Sequence, residues 1–88
     1  MSTENKESTQ GNFHLGRLIK AELKKEGRTA LWLAEQVHCT PENIYKTFRQ
    51  EWVSIRLLFS ISRALGHDFF KDCSEYFQKT KHQEIELK

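Results

Sequence analysis

The chain holds a single proline, Pro41, and a threonine stands directly before it. Proline is harmless in the first turn of a helix, where its missing N–H has no partner to lose. Threonine is a good N-cap, because its side-chain oxygen accepts from a free backbone N–H of the first turn. Thr40-Pro41 therefore predicts a helix start, and any preceding helix must end before it. Upstream, Thr29 offers a second cap. Between the two, Ala30, Leu33, Ala34 and Val37 recur at helical spacing. Residues 29–48 thus predict two short helices joined by a brief turn at His38 and Cys39. The small Ala34, with Leu33, Val37 and Ile44 as shared core, lets the pair cross closely. That is the arrangement of a helix-turn-helix.

The rest of the chain also reads as helix. Only four glycines accompany the one proline in 88 residues, too few turn formers for a many-stranded sheet. A first helix is expected from Phe13 or His14, with Leu15, Leu18, Ile19 and Leu23 as its buried stripe and Gly27 as its stop. In the third helix Ile44 and Phe48 point one way, Glu42, Tyr45, Lys46 and Arg49 elsewhere, and the end falls near Gln50. Ser54 caps a fourth helix whose core stripe is Ile55, Leu58, Ile61, Ser62 and Leu65, closed by Gly66. His67 and Asp68 lead into a fifth helix over residues 69–77. The reading is an all-α, five-helix domain over residues 13–77. A polar, disordered leader (residues 1–12) precedes it, and a charged, frayed tail (residues 78–88) follows.

Composition excludes several classes. A length of 88 residues suits one domain with a modest core, and 38% hydrophobic with 30% charged residues suits a soluble globular chain. No apolar run approaches the roughly 18 residues of a membrane span, and residues 1–12 lack the apolar centre of a secretory signal. A cytoplasmic location is the expectation. Cys39 and Cys73 form no CxxC pair and read as small, partly buried hydrophobes, so neither metal nor cofactor is expected. Ser54, Ser60 and Ser62, and His14, His38, His67 and His82, form no catalytic constellation, so the chain is not read as an enzyme. Net charge is only +2. Residues 13–29 nevertheless carry +3, from Arg17, Lys20, Lys24, Lys25 and Arg28 against Glu22 and Glu26. A basic surplus there favours a polyanion partner.

The stretch from Thr29 onward resembles the lambda-repressor-like, Cro-type transcriptional regulators, also called XRE-type. Their pattern runs Ser/Thr-Gln-x-x-Leu-Ala, three residues, Gly-Val-Ser/Thr, three residues, Ile. Thr29, Leu33, Ala34, Thr40 and Ile44 match in register. The family's later Ala-Leu-Gly matches Ala64-Leu65-Gly66 without a gap, so the resemblance covers about residues 14–77. Three features depart from the pattern. Ala30 replaces a phosphate-contacting Gln, and His38 replaces the turn Gly. Leu23 and Phe48 replace an Arg–Glu pair as a unit, which orphans no buried charge.

The resemblance implies a transcriptional regulator that binds double-stranded DNA with its third helix in the major groove. Carried over by position, the base-reading sites fall on Pro41, Glu42 and Lys46, with Asn43 and Tyr45 bordering them. Lys46 can donate to guanine O6 and N7, Glu42 can accept from cytosine N4, and Pro41 can only pack on a thymine methyl. Thr29, Thr40, Arg28, Arg49 and Arg56 are candidates for phosphate. Thr40 also caps its own helix, and Trp32 is expected to cover the core edge. The family dimerises through its fourth and fifth helices, so an apolar surplus at Leu57, Phe59, Phe69 and Phe70 implies a homodimer. The alternative is a protein-interaction module, adaptor or antitoxin-like, reusing the same scaffold. Pro41 and Glu42 at the reading face, Ala30 and the modest charge favour it.

Overall fold

A computed structural model describes the backbone of residues 13–86 and the side chains of residues 13–80. The leader expected over residues 1–12 lies outside the described residues. Five helices follow in order: α1 (Leu15–Lys25), α2 (Ala30–Gln36), α3 (Pro41–Phe48), α4 (Ile55–Leu65) and α5 (Phe69–Glu86). Among the described residues there is no strand, and no helix is long and apolar enough to cross a membrane.

Each helix begins on a side-chain acceptor. The Oγ1 atoms of Thr29 and Thr40 accept from the Trp32 and Asn43 amides at 3.0 and 3.2 Å, and Ser54 Oγ accepts from Leu57 at 3.2 Å. Pro41 occupies the first turn of α3 as its chemistry demands. His14 Nδ1 caps α1 by accepting from the Arg17 amide at 3.1 Å, and Asp68 caps α5 by accepting from Phe70 and Lys71.

Three helices also end alike. Gly27, His38 and Gly66 have φ of +72°, +59° and +67°. The following amide in each case reaches five residues back: Arg28 to the Leu23 carbonyl, Cys39 to Ala34, His67 to Ser62. This satisfies carbonyls that the helix leaves unpaired. His38 takes the left-handed conformation that the departure from Gly requires, which costs an L-residue about 1–2 kcal/mol.

One core collects residues from every helix: Leu15, Ile19 and Leu23 of α1, Leu33 and Ala34 of α2, Ile44 and Phe48 of α3, Leu58, Ile61 and Leu65 of α4, and Phe69 of α5. Leu23 and Phe48 are both buried in it, as an apolar replacement for an ion pair should be. Thr47 is buried too, and its hydroxyl donates to the Asn43 carbonyl at 2.8 Å, so no polar group is stranded.

Three expectations from periodicity need correction. Ile55 is 75% exposed, because it directly follows the Ser54 cap and the inward stripe starts one turn later at Leu58. Leu18 lies at the edge of the α1 stripe and is exposed. The fifth helix does not stop at Phe77 but continues to Glu86. Residues 78–86 contain neither Gly nor Pro and are rich in Gln, Lys and Glu, which keep a helix going without packing.

Candidate nucleic-acid interface

The two short helices α2 and α3 pack more extensively on each other than any other pair. The turn between them occupies only Val37 to Cys39 and is pinned by the Cys39 amide on the Ala34 carbonyl at 2.8 Å. Leu33 and Ala34 from α2, and Ile44, Thr47 and Phe48 from α3, bury one side of the pair. The 3.6-residue period then forces Glu42, Asn43, Tyr45, Lys46 and Arg49 outward, and all five are exposed. The polar surface of α3 is therefore a consequence of which residues the core takes.

Within this face, side chains are committed unequally. Glu42 and Lys46 stand one turn apart, a spacing that favours an ion pair. Among the described residues, however, ion pairs involve only His67, so both charged groups remain available. Tyr45 meets Phe48 edge-on at 6.0 Å between ring centroids and is 54% exposed. Pro41 is half-buried and offers only its ring. Thr40 spends its acceptor on the Asn43 amide, leaving its O–H as a donor.

The candidate phosphate contacts fall in three places. Arg28 and Thr29 sit together at the start of α2, where the guanidinium carbon lies 4.5 Å above the Trp32 ring. Trp32 is half-buried and packed on the core, as expected, and it also holds Arg28 in place. Arg49 is the exposed C-cap of α3. Arg56 is exposed in the first turn of α4, where it lines a cleft of about 410 Å³ with Val37, His38 and Cys39. The cleft brings Arg56 to the turn of the helical pair. Arg28 stands at the other end of α2.

The expected dimer contacts divide. Leu57 and Phe70 are half-buried against the core. Phe69 is 1% exposed and is corrected to a core residue: following the Asp68 cap, it is the side chain that fastens α5 to the body. The exposed apolar side chains of α4 are instead Ile55 and Phe59.

Sequence reasoning misses how α3 is held at its far end. The Leu15 and Gly16 amides donate to the Glu51 and Gln50 carbonyls at 2.8 and 3.0 Å, so the free N–H groups of α1 are satisfied by the chain leaving α3. A Cβ on Gly16 would lie 2.4 Å from the Thr47 and Phe48 carbonyl oxygens. Only a glycine lets α1 come this close. The one legible signal was a glycine inside an otherwise periodic helix.

His67 was also unassigned. It hydrogen-bonds Asp72 at 2.7 Å, lies 3.9 Å from Glu22 and packs on Phe69. It ties α1 to α5 as a boundary residue and is not part of a dyad with Asp68. The Cys73 thiol is pushed above the ordinary cysteine range by burial, with Asp72 and Asp68 adding to it. Among the described residues no cluster of His, Cys, Asp or Glu is arranged to hold a metal. Comparisons with protein-family models, with curated proteins and with solved structures find no match to this chain.

Proposed function

We propose that the protein is a sequence-specific binder of double-stranded DNA with a lambda-repressor-like helix-turn-helix, acting as a cytoplasmic transcriptional regulator of the XRE type. The observation that carries this reading is the exposed face of α3. Glu42, Asn43, Tyr45, Lys46 and Arg49 project from a helix capped at Thr40 and anchored at both ends. A rigid helix with unpaired polar heads is what a major groove accepts. Lys46 and Glu42 read bases, while Arg28, Thr29, Thr40, Arg49 and Arg56 hold the backbone.

The protein works as a homodimer through the outer faces of α4 and α5, where Ile55, Phe59, Leu57 and Phe70 leave apolar surface. No catalytic or cofactor role is assigned to it. The exposure of Ile55 and Phe59 equally favours the alternative, a protein-interaction module on the same scaffold.

The deciding experiment is an NMR titration of labelled protein with random-sequence duplex at low salt. Shifts centred on residues 28–32 and 40–49 that fade as salt rises are expected. No shifts, or shifts confined to residues 55–77, would overturn DNA binding in favour of a protein partner. Sedimentation at micromolar protein tests the dimer, and a monomer both with and without DNA would refute it.

A further inference from the structure

Because α5 runs on past the body, its outer half faces the start of α1 across a groove of about 620 Å³. That size is within the range of small-molecule sites. The groove is lined by Phe13 and Leu18 on one side and Tyr76 on the other. The Phe13 and Tyr76 rings stack at 4.6 Å with 17° between planes, and Trp52 leans on Phe13 at 5.3 Å. Leu18 is the one member of the α1 stripe that the core leaves uncovered.

The polar lining is lopsided. Arg17 and Lys79 are exposed and, among the described residues, form no ion pair. Asp72 also borders the groove but is hydrogen-bonded to His67 at 2.7 Å, which leaves Glu75 as the uncommitted carboxylate. The first amides of α1 are not an anion site. Leu15, Gly16 and Arg17 donate to Glu51, Gln50 and His14. Two free cations above an aromatic and aliphatic floor match a ligand with a flat apolar body and one negative charge.

We infer that this groove binds a planar aromatic carboxylate, its ring against Leu18 and Tyr76 and its carboxylate on the Arg17–Lys79 rim. The site is mechanically continuous with α3. Phe13 and His14 lead straight into Leu15 and Gly16, whose amides hold the Glu51 and Gln50 carbonyls at the end of α3. A ligand that immobilises Phe13 fixes the first turn of α1, and with it the position of the α3 terminus. Any effect on DNA affinity rests on the function proposed above; the binding and its transmission to α3 do not.

The test uses the full chain, ¹⁵N-labelled and without DNA, titrated with 2-naphthoate and separately with the uncharged 2-naphthol. Saturable amide shifts are expected at Phe13, Arg17, Leu18, Tyr76 and Lys79, with smaller shifts at Gln50 and Glu51. Naphthoate should bind at least about fivefold more tightly than naphthol, and Arg17→Gln with Lys79→Gln should remove that preference, the size expected of two exposed charge contacts. Both substitutions are on exposed side chains and leave the fold intact. The absence of saturable shifts, equal binding of naphthol, or an unchanged preference in the double variant would overturn the site. Shifts in the groove with none at Gln50 and Glu51 would overturn its link to α3.

Discussion

Replacing Gly16 by alanine sets local preference against packing. In a helix interior alanine is better than glycine by about 1 kcal/mol, so propensity alone predicts a more stable protein. The tertiary contact predicts the reverse. The new Cβ would stand 2.4 Å from two backbone carbonyl oxygens, those of Thr47 and Phe48, and neither can rotate away as a side chain would. Overpacking of this kind costs about 1–3 kcal/mol. Moving α1 outward to relieve it stretches the Leu15–Glu51 and Gly16–Gln50 hydrogen bonds, each contributing about 1 kcal/mol. After the propensity gain, a net loss of roughly 1–3 kcal/mol remains. For a domain of this size that lowers the thermal midpoint by roughly 5–20 °C. Circular dichroism at 222 nm through a thermal ramp measures it directly. A midpoint equal to or above that of the unsubstituted protein would refute the argument, since it would mean that α1 does not need its close approach to the end of α3.

Other consequences can be checked with equal directness. His38→Gly removes a left-handed penalty of about 1–2 kcal/mol and adds a glycine entropy cost of about 0.5–1 kcal/mol, so chemical denaturation should show a gain of about 0.5–1 kcal/mol. A loss would mean that the His38 side chain contributes more than its backbone strain. Lys46→Ala should leave stability unchanged, because the side chain is exposed. In a binding-site selection it should relax preference at one base pair by about 1–3 kcal/mol; an identical selected sequence would remove Lys46 from the reading set. In a Cys39→Ser background, iodoacetamide should modify Cys73 more slowly at pH 8 than it modifies the urea-unfolded chain, and the gap should narrow as pH rises through the raised thiol range. Equal rates at pH 8 would show that burial does not hold the thiol protonated.

Helix identity was legible wherever a local rule was strong. Thr29, Thr40-Pro41 and Ser54 mark starts because a side-chain oxygen next to free amides needs nothing but its neighbours. Gly66 marks an end for the same local reason. The inner stripes of α2 and α3 also follow from spacing, and their burial leaves the charged face of α3 exposed. Even the strain at His38 could be read from a residue standing where the resembled pattern has glycine.

What tertiary structure alone decided are the matters settled by distant partners. Whether Gly16 is a weak helix position or a required contact depends on the carbonyls of Thr47 and Phe48, more than thirty residues away. Phe69 looked like surplus apolar surface until α5 was docked and buried it, while Ile55 looked like core until the turn before Leu58 proved to face outward. His67 acquires its role only when α1 brings Glu22 and α5 brings Asp72 to it. Capping and periodicity act within about one helical turn, and a sequence carries them openly. Close approach, burial of a particular ring and pairing across helices depend on how the elements meet in space.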